Sequence, residues 1–258
     1  GIYTPQREDE FRRDVELTLA LGFNCARKHQ KVEDPRWYYW CDRLGLLVWG
    51  EMGNAWEFTP ESCQNLIHEW PEVMRRDWNH PCIMAWVPLN ESWGVPKVHE
   101  DAEQQKFQKQ MAALTRALDP TRPVVDNSGW CHLDTDIVDL HPYTGDPNEM
   151  AALLETVLET GRVDKNYPMP LWVGDGRDEG QPIVVSEYGG IALLSDVESS
   201  RDQKDPWGYG RAADSSEILV RRFRELTRAI LKNSRIAGYV YTQLTDVEQE
   251  KNGLLTFD

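Results

Sequence analysis

Seven short apolar runs, each separated by a segment of helical periodicity or a polar turn, constrain this chain more than any other feature. The runs are "FNCARKH" (23–29), "LLVWGEM" (46–52), "IMAWVPLNES" (83–92), "PVVDNS" (123–128), "DIVDLHPY" (136–143), "PIVVSEYGG" (182–190) and "IAGYVYTQ" (236–243). Between them, Phe11, Val15 and Leu19 recur at four-residue spacing, and Phe107, Met111, Leu114 and Leu118 fall at i, i+4, i+7 and i+11. Leu219, Phe223, Leu226 and Ile230 repeat that pattern near the end of the chain. Strands alternating with amphipathic helices build a parallel sheet. Runs that are apolar almost throughout suit strands covered on both faces. The expected fold class is α/β, a (β/α)8 TIM barrel in one domain spanning 1–258.

Punctuation supports the segmentation. Asp34-Pro35 and Asp146-Pro147 read as helix starts, and Asp214 with Glu217 reads as a capping box. Gly22 and Gly45 read as helix stops. Trp70-Pro71 is expected to kink or restart the helix that begins at Thr59-Pro60. The barrel is one strand short. No strand precedes the first helix, and "NGLLTFD" is too little for a closing helix. The first strand and the last helix are therefore expected to be missing, as in a fragment of a longer protein.

Charge narrows the partners. The formal net charge is −15, from 43 acidic and 28 basic residues, which argues against nucleic acid or an anionic membrane. No apolar run approaches the roughly 20 residues of a membrane span, and "GIYTPQREDE" has no signal-peptide character. Five cysteines without a Cys-x-x-Cys pair fit a reducing, cytoplasmic compartment. The six histidines lack metal-ligand spacing, so no metal site is expected, and no phosphate loop points to a nucleotide cofactor.

In a parallel barrel the strands' C-terminal ends share one face, where active sites are built. The runs end in Arg27 and His29, Glu51, Asn90 and Glu91, Asn127, His141 and Tyr143, Glu187 and Tyr188, and Tyr241. Two facing carboxylates can cleave a glycosidic bond, one as general acid and the other as nucleophile or base. Glu91 and Glu187 are the candidates, with a carbohydrate as substrate. Asn90 could hydrogen-bond a sugar hydroxyl, Tyr143 could donate to the nucleophile, and Arg27 could favour its anionic form. Blander readings stand beside these. Glu91 could cap a helix, Glu187 could sit at a turn, and Arg27 could only neutralise Glu51. Trp207 and Tyr209 could stack on a sugar or only anchor the loop 191–213.

Taken together, "GFNCARKH", "DPRWYYWCDRLGLLVWGE", "HPCIMAWVPLNESWG", "VVSEYGG" and "YVYTQLTDVEQEKNGLL" resemble the catalytic barrel of glycoside hydrolase family 2. That resemblance implies a retaining double displacement with Glu91 as acid/base and Glu187 as nucleophile. It places Tyr143 on the nucleophile and Arg27 beneath it. His29, Asn90, Trp93, His141 and Tyr241 are expected to line the sugar site. It also implies β-sandwich domains outside this chain, or a homo-oligomer that completes it. The chain departs from the family at Arg27-Lys28-His29-Gln30, where Arg-x-x-His-Tyr-Pro is usual, and at Tyr241, where a tryptophan is common. It lacks the Asn-x-Lys element of the glucuronidases. The expected substrate is thus a neutral β-sugar, a galactoside first. The rivals are a non-catalytic sugar-binding or assembly module and a family-5-like endoglucanase.

Overall fold

The computed structural model describes residues 5, 7–161, 169–193 and 207–256. Part of the loop 191–213 expected after Glu187 lies outside them. The chain divides into two compact units, Gly1–Val138 with Trp172–Gln181, and Asp139–Leu171 with Pro182–Asp258.

The first unit runs α1 (Glu8–Ala20), β1 (Cys25–Arg27), α2 (Pro35–Leu44), β2 (Leu47–Glu51), α3 (Pro60–Asp77), β3 (Ile83–Val87) and α4 (Ala102–Leu118). Its sheet has the order β1-β2-β3. Both pairings are parallel, with Arg27 opposite Trp49 and Glu51 opposite Val87. That register brings the polar ends of the three strands to one edge. Asp34 accepts from the Arg36 N–H and Pro35 opens α2, which stops at left-handed Gly45. Trp37, Tyr38, Trp70, Trp86 and Leu89 are among the largest buried side chains. The Trp70 and Trp86 rings meet edge to face at 5.7 Å, and Trp70 Nε1 donates to Thr115 Oγ1 at 2.8 Å.

Three expectations are corrected here. Helix α3 runs unbroken through Pro71. Proline removes one N–H bond to the carbonyl four residues back, which here belongs to the exposed Ile67, while Trp70 and Met74 pack the buried side. Residues 123–128 form no continuous strand. They make only isolated parallel bridges, Trp86 with Val124 and Asn90 with Ser128. The reason is Asp126 and Asn127, whose side chains bind nearby backbone groups in competition with a ladder. Helix α4 buries Gln104, Gln108 and Thr115 beside Phe107 and Met111, whereas Leu118 is exposed.

The second unit runs β4 (Val138–Leu140, starting at the boundary residue), α5 (Pro147–Thr160), β5 (Ile183–Val185), α6 (Ser216–Lys232) and β6 (Ile236–Tyr239). Its sheet order is β4-β5-β6, with β5 and β6 parallel. Helix α5 buries Leu153, Leu154, Val157 and Leu158 after its Asp146 cap. Helix α6 is capped by Ser215, whose Oγ accepts from the Ile218 N–H, and not by Asp214. Six strands thus form among the described residues, in place of the seven expected.

Pro71→Ala should restore a helical hydrogen bond and raise stability by about 1–3 kcal/mol. A denaturant melt showing no gain would mean that the proline is already accommodated by its surroundings.

Candidate active site

In the first unit, one buried guanidinium collects three strand ends. Arg27 Nε lies 2.8 Å from Glu51 Oε2, and Arg27 Nη2 lies 3.1 Å from Glu51 Oε1. The same Nη2 donates to Asn90 Oδ1 at 2.6 Å. The two charged side chains are 2% and 0% exposed, so neither charge is hydrated and each depends on the other. The Arg27 bond fixes which way the Asn90 amide faces, because its oxygen must meet the donor. Its Nδ2 is then left buried without a partner. The Asn90 backbone N–H donates to Asn54 Oδ1 at 2.8 Å, and Asn54 Nδ2 donates to the Pro88 carbonyl at 2.9 Å.

Glu91 follows in a left-handed conformation, φ 48°, and Ser92 repeats it at φ 61°. Two consecutive non-glycine residues in this region cost roughly 1–2 kcal/mol each. The turn is pinned from beneath. The Glu91 N–H donates to the Ser128 carbonyl at 2.9 Å, and the Ser92 N–H to Asn127 Oδ1 at 2.9 Å. Asn127 is in turn held through Asp126, a fully buried carboxylate. Asp126 accepts from the Asn127, Leu133 and Asp134 N–H groups, from Gln108 Nε2 and from His132 Nδ1. Burial alone would raise the Asp126 pKa. The hydrogen bond and charge of His132, with the backbone N–H groups, outweigh it and hold the carboxyl below its usual value.

His29 and Trp93 complete the residues expected from this unit. The His29 side chain is 57% exposed, with Nδ1 3.9 Å from Glu51 Oε1. Trp93 meets the exposed Trp56 edge to face at 4.5 Å. A cavity of about 580 Å³ lies beside this pair, lined by Asn54, Trp56, Leu89, Gly94 and Phe107 among others.

In the second unit, Glu187 stands two residues beyond β5 and is 7% exposed. Tyr143 Oη donates to Glu187 Oε2 at 2.6 Å, and Thr242 Oγ1 lies 3.0 Å from the same hydroxyl. Burial, and then the Glu187 carboxylate beside it, push the Tyr143 pKa well above its usual value. The phenol therefore keeps its proton and can act as a donor. His141 Nδ1 is 3.6 Å from the same Glu187 oxygen. Tyr209 stacks on Tyr143 at 3.6 Å with the rings 9° from parallel, and Trp207 meets Tyr209 edge to face at 5.4 Å. Tyr209 therefore backs the tyrosine that touches Glu187.

Tyr241 stands apart from this group. Its ring is 6% exposed and packs against Phe223 at 4.9 Å and Tyr188 at 5.4 Å. Gly189, at φ 88°, makes this possible, since a Cβ there would sit 2.2 Å from the Tyr241 ring. Tyr241 thus packs beneath the turn after Glu187, against Phe223 and Tyr188. Sequence reasoning did not find Asn54, Thr242 or the Ser92 clamp. None carries a spacing or composition signal.

Comparison with known proteins gives this arrangement a family. Residues 6–197 match the family described as "Glycosyl hydrolases family 2, TIM barrel domain", and the chain belongs to it. The chain is 28% identical over 191 residues to a β-galactosidase of Photobacterium profundum, covering 70% of this chain and 16% of that protein. It is 29% identical over 130 residues to a putative β-glucuronidase of Formosa agariphila, covering 47% of this chain and 15% of that protein. The chain thus spans about a sixth of the length of these curated relatives. The crystal structure of a Bacteroides uniformis β-glucuronidase matches with a TM-score of 0.72 at 19% identity, over 97% of this chain and 31% of that one. At that identity the likeness concerns the α/β fold. Among the described residues no helix is long and apolar enough to cross a membrane.

Two outcomes follow from the buried charges. Arg27→Met removes the guanidinium from the buried Glu51, which keeps the Gln30 N–H at 2.8 Å, and should cost about 3–5 kcal/mol, whereas Arg27→Met with Glu51→Leu should recover much of that loss. Equal losses in a denaturant melt would contradict the pairing. Asp126 has a depressed folded pKa, so its contribution is complete above its unfolded pKa of about 3.9 and is lost as pH falls through the folded value. Asp126→Asn should be less stable at neutral pH and should show a shallower acid-melting slope below about pH 4. An unchanged slope would contradict the assignment.

Proposed function

We propose that this chain is the catalytic part of a retaining exo-β-glycosidase, with Glu91 as general acid/base and Glu187 as nucleophile. We read the fold as that of a (β/α)8 barrel. The alternation of strands and helices and the family match support that reading. Further domains, or a second copy of the chain, would complete the protein.

The observation that carries the proposal is the Tyr143–Glu187 contact. A protonated phenol on Oε2 stabilises the carboxylate, which attacks the anomeric carbon. Glu91 gives its proton to the departing glycosidic oxygen, and the C–O bond breaks as the glycosyl–Glu187 ester forms. In the second half, Glu91 takes a proton from water, which attacks the same carbon and releases Glu187. The overall configuration is retained. Asn90 Nδ2, a buried donor without a partner, suits a sugar hydroxyl next to the reacting carbon. A neutral sugar, galactose first, fits the lack of an Asn-x-Lys element near "EQEKNGLL". Lys251, the cation of that stretch, lies 3.7 Å from Asp246.

Glu187→Gln should abolish turnover of dinitrophenyl β-galactoside, by at least about 10⁴-fold on the scale of a lost nucleophile. Glu91→Ala should slow phenyl β-galactoside far more than the dinitrophenyl compound, because an acidic leaving group needs little protonation. Equal losses on the two substrates would remove Glu91 from the acid role. A screen of aryl α- and β-glycosides, with product configuration followed by NMR, separates the rivals. Binding without hydrolysis would favour the sugar-binding module, and activity on polymers alone the endoglucanase.

A further inference from the structure

We propose that Asn127 is a positioning residue for Glu91, acting through a clamp on Ser92; the proposal rests on Glu91 being the general acid/base. The Glu91–Ser92 turn is left-handed at both residues, a conformation that two such residues do not hold unaided. Asn127, fully buried, grips Ser92 at two atoms. Its Oδ1 accepts from the Ser92 N–H at 2.9 Å, and its Nδ2 donates to Ser92 Oγ at 3.0 Å. The same Nδ2 donates to the Trp130 carbonyl at 2.8 Å, and Trp130 Nε1 donates back to Ser92 Oγ at 3.2 Å.

The grip is oriented by its surroundings. Ser92 N–H can only donate, so it must meet the amide oxygen, and the Trp130 carbonyl can only accept, so it must meet the amide nitrogen. Only an amide of this length meets both demands. A carboxylate would face the carbonyl oxygen, and an alkyl group would leave both ends unpaired. Behind Asn127, its own N–H is fixed on Asp126 at 2.9 Å, and Asp126 is held by four further donors. The clamp acts one residue beyond Glu91, so it sets where the Glu91 side chain leaves the backbone without touching substrate. Asn127 belongs to the segment that forgoes a continuous strand in favour of side-chain bonds, which gives that departure a purpose.

The test compares Asn127→Leu, Asn127→Asp and Ser92→Ala with Glu91→Ala, on phenyl and 2,4-dinitrophenyl β-galactosides. Asn127→Leu should lower kcat/KM about 30–100-fold on the phenyl substrate and less than about threefold on the dinitrophenyl one, mainly through kcat. Ser92→Ala, which keeps the N–H bond, should lose about 3–10-fold on the phenyl substrate alone. Asn127→Asp should fall between them and should move the basic limb of the kcat/KM pH profile, since the acid's surroundings change. If Glu91→Ala shows no such leaving-group dependence, the acid/base reading fails. If Glu91→Ala shows it and the Asn127 and Ser92 variants lose both substrates equally, the clamp is merely structural and the proposal is overturned. A crystal structure of the Ser92→Ala or Asn127→Asp variant gives a readout independent of activity. Residues 91 and 92 should leave the left-handed region or scatter. Retention of both angles in both variants would also overturn the proposal.

Discussion

The Arg27–Glu51 ion pair is the constraint from which the first half of the site hangs. Parallel pairing sets β1, β2 and β3 side by side, and the pair, with Asn90 added, ties together the ends of all three. Both charges lie out of water, so removing one leaves the other buried without the opposite charge that faces it. That makes the pair an all-or-none device for holding geometry more than a source of net stability. Its consequence for chemistry is specific. By consuming the Asn90 oxygen, Arg27 turns the amide nitrogen into a spare donor next to Glu91.

The second unit solves a related problem with neutral groups. Glu187 is nearly buried, and one partner that touches it is a phenol kept protonated by burial. Tyr209 stacks on that phenol, and Gly189 lets Tyr241 close in beneath the following turn. The two units thus use the same plan, an apolar strand followed by a glutamate on a tightly supported turn. One support is ionic and the other aromatic.

Much of this was legible in the sequence, for a physical reason. Strand interiors and helix faces announce themselves through periodicity, and Asp34-Pro35, Gly45 and Asp146-Pro147 through backbone chemistry. Glu91, Glu187, Arg27 and Tyr143 could be named because each ends, or follows, an apolar run. What stayed hidden depends on partners distant in sequence. Tyr241 looked like a site residue because it ends a strand. Its packing against Gly189, Tyr188 and Phe223 is visible only in the structure. The segment 123–128 looked like a strand because Val124 and Val125 are apolar, yet Asp126 and Asn127 organise it through side chains. The helix face of α4 misled similarly: Gln108 is buried because Asp126 receives its amide, a pairing that hydrophobic spacing cannot foretell.

The central claim is the proposal that Glu187 is the nucleophile and Glu91 the acid/base. Incubation with 2-deoxy-2-fluoro-β-galactosyl fluoride, followed by peptide mass mapping, tests it most directly. The fluorine slows breakdown of a covalent intermediate, so one fluorosugar should accumulate on the peptide containing Glu187, and Glu91→Ala should still be labelled by this activated donor. A label on any other carboxylate, or turnover that yields inverted product without an adduct, would contradict the account.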